Sequence, residues 1–208
     1  MYKKEDLIKV FEFISAEMSE NRDYLIELDQ QNGDGDLGIT MSNGFEAAVK
    51  ELKSFDNEDI GMSLFKSAMS FNEKAPSSLG TIISFGLMAI GKKYKGKTEF
   101  SKKDIIRFFE IFNEEIMNKG GAKLGEKTVI DTLVPTTEYL KENFEKYELL
   151  ELFEKSTEIA KQSSEKTKEM KSVHGRAAYY GDASIGILDG GSFVGYLIFR
   201  GISNSLKN

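Results

Sequence analysis

Cysteine is absent from the 208 residues, and histidine occurs once. The first absence excludes disulfides, thiol catalysis and cysteine-ligated metal sites. Proline occurs only at Pro76 and Pro135, so few positions forbid a helical backbone. No apolar run is long enough to span a bilayer. The opening Met1-Tyr2-Lys3-Lys4-Glu5-Asp6 leads into an amphipathic pattern, not the apolar stretch of a signal peptide. A cytoplasmic protein with no membrane partner is expected. Charge of one sign is not concentrated either. The net charge is −6 with acids and bases interspersed, and without a basic stripe no nucleic-acid partner is expected.

What is present is an ordinary globular composition, 40% hydrophobic and 30% charged. No repeat, low-complexity tract or linker divides it, so residues 1–208 are expected to form one domain. Apolar residues recur at helical spacing. Leu7, Val10, Phe11 and Ile14 make one face, Leu64, Phe65, Ala68 and Met69 another, and Ile105, Phe108, Phe109 and Phe112 a third. The third follows Ser101-x-x-Asp104, a capping pattern with Asp in place of Glu. The spacing predicts an all-α fold with eight helices near 4–20, 39–54, 58–71, 79–93, 102–118, 128–144, 147–171 and 183–206. The run Phe193 to Phe199 could be a strand, but its pattern continues to Leu206 and favours a helix. Pro135 is expected to kink the sixth helix.

Glycine clusters at Gly33 to Gly38, around Gly80, at Gly120 to Gly125 and at Gly186 to Gly191. Such breaks are either helix C-caps or places where backbone approaches a ligand closely. The sharpest chemical signal lies in the first cluster, Leu28-Asp29-Gln30-Gln31-Asn32-Gly33-Asp34-Gly35-Asp36-Leu37-Gly38. Crowded anions repel unless a cation neutralises them, and carboxylate oxygens suit magnesium, calcium or manganese. Asp29 is expected at the end of a helix, with Asp34 and Asp36 on the loop facing the same ion. A calcium-binding EF-hand loop is excluded, because counting from Asn32 puts Leu37 at the sixth position and Asn43 at the twelfth. The alternative is a solvated turn in which Asp36 caps the helix beginning near Ile39. That helix start would offer free amide hydrogens and partial positive charge to a phosphate beside the metal.

Two segments imitate phosphate loops. Gly86 to Lys93 nearly fits a Walker A pattern but ends in Lys and forms the face of a helix. In Gly120 to Thr128, Glu126 separates Gly125 from Lys127, so the spacing is wrong for a Walker A, and the segment stays open as a phosphate or base contact of another design. Asp131 could bind metal or cap a turn. His174 reads as an exposed helix-end residue, not a phosphorylated intermediate.

The segment Leu28 to Phe45 resembles the motif Leu-Asp-x-x-x-Gly-Asp-x-Asp-x-Gly-x-x-Met-x-x-Gly-Phe of the L subunit of dihydroxyacetone kinase. Three further segments are similar to family motifs in the same order: Gly121 to Asp131, Gly175-Arg176-Ala177-Ala178-Tyr179, and Ser184-Ile185-Gly186 followed by Asp189-Gly190-Gly191. The resemblance covers nearly the whole chain. It implies a barrel of eight antiparallel helices with a nucleotide, ADP or ATP, held by loops at one end. It implies that Asp29, Asp34 and Asp36 bind two Mg2+ ions bridging the phosphates. Leu37, Gly38, Ile39 and Thr40 would line the phosphate and sugar region. Ser78 and Leu79 match the Ala-Ser of a Gly-Ala-Ser-Gly turn. Gly120 and Val129 would flank the base, Arg176 would contact the phosphates as the catalytic arginine, and Asp189, Gly190 and Gly191 would close over the nucleotide.

The chain departs from the family pattern at five positions. Leu37 stands for His, Thr40 for Asn, Leu79 for Ser, Val129 for Met and Gly190 for Pro. Loss of the hydroxyl at Leu79 leaves Ser78 or Thr81 to supply it. The three carboxylates and the arginine are kept.

The resemblance implies a phosphotransferase subunit that carries phosphate to dihydroxyacetone held by a separate K subunit. The phosphate arrives as exchanging ATP, or by rephosphorylation of fixed ADP by the M subunit of the phosphotransferase system. A stand-alone chain of this size favours the second route. The alternatives are a kinase for another short ketose, a fatty acid kinase-like system, and a nucleotide-sensing regulatory partner. A fatty acid kinase-like chain is expected to continue beyond Asn208.

Overall fold

The computed structural model describes residues 1–207, and those residues fold mostly as helix. The helices are α1 Lys4–Glu20, α2 Arg22–Gln30, α3 Leu37–Ser54, α4 Ile60–Lys74, α5 Ser78–Lys93, α6 Lys102–Gly120, α7 Ile130–Asn143, α8 Leu149–Lys166 and α9 Gly190–Lys207. Two 3₁₀ segments, Thr167–Glu169 and Arg176–Ser184, lie between α8 and α9. Extended pairing among the described residues is limited to one bridge, Tyr2 with Phe100. The all-α expectation therefore holds. None of the described helices is long and apolar enough to cross a membrane.

Eight long helices pack in sequence order from α1, α3 and α4 through to α8 and α9, and α9 returns to α1. The short α2 lies against α3. Aromatic side chains fill the interior on two sides. Phe11, Phe45 and Phe71 link α1, α3 and α4, with ring centroids 6.3 and 5.0 Å apart. Phe109, Phe153 and Phe199 link α6, α8 and α9, and Phe109 stacks on Phe199 at 4.8 Å. Pairs of this kind add to the burial of large apolar area. Glu17 of α1 and Arg200 of α9 form an ion pair where the ring closes, and Glu17 also accepts from Asn204 at 2.8 Å.

Helix ends follow the local chemistry. The capping box at Ser101 forms as the spacing predicts: the Ser101 hydroxyl accepts from the Asp104 amide and the Asp104 carboxylate from the Ser101 amide. Three boundaries differ from expectation. The segment 22–30, assigned no helix in the sequence, forms α2. Asn21 ends α1 by donating its side-chain amide to the Glu17 carbonyl at 2.8 Å, and the next residue starts afresh. The expected helix 147–171 stops at Lys166. The last helix begins at Gly190 and not near 183, because Gly186, inside the expected span, has positive φ. α7 is continuous from Ile130 to Asn143 across Pro135. The near-Walker segment Gly86 to Lys93 lies inside α5, as its apolar face implied.

Candidate nucleotide and metal site

One end of the ring is open. A cleft of about 880 Å³ is walled by the first residues of four helices: Leu37 of α3, Ser78 and Leu79 of α5, Ile130 of α7, and Gly190 and Gly191 of α9. Each start carries unpaired amide hydrogens and roughly half a positive charge. Alternate helices thus aim their positive ends at one volume, which suits an anion. Leu28, Ile82, Ile116, Ala122, Val129 and Leu188 supply an apolar lining.

The acidic trio sits on the rim of this cleft. Asp29 ends α2, and Asp34 and Asp36 follow on the loop. One oxygen of each lies within 4.8 Å of the others. The local fold explains the convergence. The Asp29 carbonyl accepts from the Asn32 and Gly33 amides at 3.1 and 2.5 Å, which turns the chain back. Its carboxylate then accepts from the Asp36 and Leu37 amides at 3.0 and 3.4 Å. Asp36 occupies the N-cap position of α3 but makes no side-chain cap, so the capping role weighed for it from sequence falls to Asp29. A Cβ at position 33 would lie 2.2 Å from the Asp29 carboxylate and 2.9 Å from its carbonyl, so a larger residue there would displace that carboxylate.

Electrostatics at the trio are unfavourable as they stand. Burial raises the Asp36 pKa, Asp34 and then Asp29 raise it further, and Arg176 opposes them. Arg176 reaches across the cleft to Asp34 at 2.8 Å. The donor set is all oxygen, which matches magnesium. The buried Asn32 side-chain oxygen, on the cleft wall, has no hydrogen-bond partner in the protein. An oxygen left unsatisfied there is consistent with a ligand or hydrated ion as its partner.

Most of the residues singled out from sequence wall the cleft: Asp29, Asp34, Asp36, Leu37, Ser78, Leu79, Gly120, Val129, Arg176, Asp189, Gly190 and Gly191. Gly38, Ile39 and Thr40 are not among its walls. Gly38 packs against α2, Ile39 is exposed, and the Thr40 hydroxyl donates to the Leu37 carbonyl at 3.2 Å. Thr81 also reaches the cleft. Asp131 takes the second of its two options: it braces a turn by accepting from the Gly125 and Thr128 amides at 2.6 and 2.7 Å. His174 is not a free helix end. It is half-buried on the cleft wall, 2.6 Å from Glu126. Sequence reasoning passed over Asn32, which carries no signal of its own. Lys127 entered it only as part of the Gly120 to Thr128 segment, as a candidate phosphate or base contact.

Asp189 caps α9, accepting from the Ser192 amide at 2.6 Å. Burial nevertheless pushes its pKa up to about 7, against the pull of that amide and of Lys127. The unfolded chain releases this proton near 3.8. The folded state therefore holds more protons between the two values. The contribution of this group to stability is full below pH 3.8 and is lost as pH rises through about 7. Urea unfolding of the ligand-free protein across that window should show this decline, and Asp189→Asn should flatten it. An unchanged slope in the variant counts against the assignment.

Comparison with known proteins agrees with this geometry. Residues 31–204 match the family model described as the DAK2 domain. The chain is 30% identical over 200 residues to "PEP-dependent dihydroxyacetone kinase 2, ADP-binding subunit DhaL" of Listeria innocua, covering 95% of this chain and 93% of that one. It is 27% identical over 175 residues to the "PEP-dependent dihydroxyacetone kinase, ADP-binding subunit DhaL" of Escherichia coli, covering 84% and 83%. Its fold superposes with a TM-score of 0.75 on the C. freundii dihydroxyacetone kinase crystallised with AMP-PNP and Mg2+, at 18% identity. That superposition covers 95% of this chain and 33% of the kinase, so the chain spans about a third of that larger protein. With four helix starts around one cleft, an acidic trio on its rim and a family model matching most of its length, the chain belongs to the DAK2 domain family.

Proposed function

We propose that this chain is the nucleotide-carrying, phosphoryl-transferring subunit of a dihydroxyacetone kinase. It would hold ADP or ATP through two magnesium ions on Asp29, Asp34 and Asp36, and deliver phosphate to dihydroxyacetone on a K subunit. The observation that carries this reading is the convergence of the three carboxylates on the rim of a cleft that four helix starts face. Magnesium, when bound, supplies neutralisation of phosphate charge.

The remaining work falls to the protein. Phosphoryl transfer needs positioning and charge neutralisation more than covalent chemistry. The amides opening α3, α5 and α9 suit the phosphates, with Leu37, Ser78, Leu79, Asp189, Gly190 and Gly191 around them. Gly120 and Val129 sit on the apolar side, where a flat base can exclude water. Gly38, Ile39 and Thr40 act behind the wall by setting the start of α3. Arg176, exposed and already paired with Asp34, is free to turn its guanidinium to a phosphate oxygen. The whole chain serves this one domain function.

ADP as a resident cofactor, rephosphorylated by an M subunit, is the favoured route. The relatives spanned over most of their length carry "PEP-dependent" and "ADP-binding" in their names. The test is to purify the chain, identify any nucleotide that accompanies it, and add K and M subunits with a phosphoenolpyruvate-driven phosphate supply. Bound ADP and dihydroxyacetone phosphorylation are expected. Turnover with free ATP alone would replace the M-subunit route, and absence of magnesium-dependent nucleotide binding would overturn the reading. In the same assay Arg176→Gln is expected to slow turnover by roughly tenfold or more, the scale of one hydrogen bond to a charged group. Its exposed ion pair should leave stability within about 0.5 kcal/mol of the parent. Equal turnover would remove Arg176 from the chemistry.

A further inference from the structure

Lys127 is the one non-glycine residue with positive φ among the described residues, at 61°. It is also only 3% exposed, rare for a lysine. Both oddities have one structural consequence. The left-handed backbone turns the side chain inward, and the turn is locked by Asp131, which accepts from the Gly125 and Thr128 amides on either side. The ammonium then donates to three main-chain carbonyls: Met170 at 3.2 Å, Ser184 at 2.5 Å and Ile187 at 2.6 Å. An ammonium has three N–H donors, and here each has an oxygen.

The three carbonyls are not neighbours in sequence. Met170 opens the segment between α8 and α9, and Ser184 and Ile187 close it. Lys127 therefore ties the two feet of one long loop together. Further bonds draw the feet close. The Gly186 amide donates to the Lys168 carbonyl at 2.7 Å, and the Ser172 amide to the Ser184 hydroxyl at 2.9 Å. Above the feet the loop is open to solvent, with Tyr179 92% exposed. Its tip touches the rest of the protein through a 2.6 Å hydrogen bond between His174 and Glu126 and an ion pair between Arg176 and Asp34. Glu126 is the residue before Lys127, so one short turn grips the loop at base and tip.

We propose that Lys127 is a positioning residue, a latch whose ammonium fixes the base of the 170–187 loop and so holds Arg176 over the acidic trio. The part that concerns nucleotide rests on the function proposed above, whereas the latch itself is a property of the empty protein. Loss of the ammonium leaves three inward carbonyls without donors, and the simplest way to satisfy them is to let water in and the loop out. A loop open most of the time offers Arg176 to the nucleotide only in the closed fraction, so apparent affinity falls by that fraction.

Limited trypsin digestion of the nucleotide-free protein reads the latch directly, because Lys171 and Arg176 are cleavage points within the loop. In Lys127→Met, cleavage after these two is expected to accelerate about 100-fold, the scale of losing two or three hydrogen bonds from a local opening equilibrium. Cleavage after Lys102 and Lys103, on α6, should not change. Magnesium-ADP affinity is expected to fall about tenfold with unaltered dependence on magnesium concentration, since the carboxylates are untouched. Lys127→Arg keeps the charge and donors and should recover part of both losses. Unchanged loop cleavage in Lys127→Met, or acceleration equal at all sites, overturns the proposal. Should the methionine variant fail to fold, hydrogen exchange on the parent chain decides. The Ser172 and Gly186 amides must exchange far more slowly than those of residues 177–183, and equal rates overturn the latch. A parent chain that binds no magnesium-ADP yet shows the loop effects would sink the nucleotide reading and leave the latch standing.

Discussion

Asp34→Asn should weaken magnesium-dependent ADP binding by at least about 100-fold while leaving the fold as stable as before. Outer partners of metal ligands already cost about 10–100-fold in affinity when lost, so a direct carboxylate should cost no less. Stability should move the other way or not at all. Asp34 is the most exposed of the trio, and it is held by the solvent-screened pair with Arg176. Its negative charge raises the Asp36 pKa, so removing it relieves repulsion between carboxylates. Calorimetry with ADP and magnesium gives the affinity, and thermal unfolding without ligand gives the stability. Parent-like affinity in the variant would show that the trio does not hold the metal. A midpoint several degrees lower would show that Asp34 is structural. Asp29 should behave differently. Its carboxylate also accepts from the Asp36 and Leu37 amides, so Asp29→Ala should lose binding together with about 1 kcal/mol of helix capping.

The second large effect is expected at a residue with no functional group. α3 crosses α2 so closely at Gly38 that a Cβ there would lie 2.1 Å from the Arg22 carbonyl and 2.9 Å from Ile26. The first obstacle is backbone and cannot rotate away. Gly38→Ala must push α3 from α2, a cost of about 2–3 kcal/mol, the upper part of the usual range for overpacking. For a chain of this length that is roughly a 5–10 °C fall in midpoint. The displacement has a second consequence. Asp29 of α2 holds the first amides of α3, so separating the helices pulls Asp29 from Asp36 and spreads the trio. Magnesium-ADP affinity should therefore fall together with stability, although no side chain of the site has changed. An alanine variant with the parent's midpoint would contradict the close crossing.

Helical spacing and the scarcity of proline were enough to assign an all-α fold, and seven of the eight expected helices begin within about two residues of where they stand. Local rules govern such starts: Ser101 and Asp104 cap each other whatever lies elsewhere. The short α2 escaped because its hydrophobic face, chiefly Leu25 and Leu28, spans barely two turns. A pattern of that length is hard to tell from a loop. The late start of α9 escaped because nothing in Ser184 to Asp189 marks that Gly186 adopts positive φ and breaks the helix there.

The acidic trio was legible because crowding of like charge is a property of sequence distance alone: Asp29, Asp34 and Asp36 cannot lie far apart. The family motifs made most of the cleft wall legible as well, but not all of it. Asn32, His174 and Lys127 reach the same cleft from three separate parts of the chain. The sequence by itself determined the helices, the charge cluster and the family. Only the tertiary structure decided that four helix starts face one volume and that Lys127 ties Met170 to Ser184 and Ile187, because those contacts join residues 43 to 60 positions apart. Pairing over such distances depends on how whole helices pack, and no local pattern encodes it.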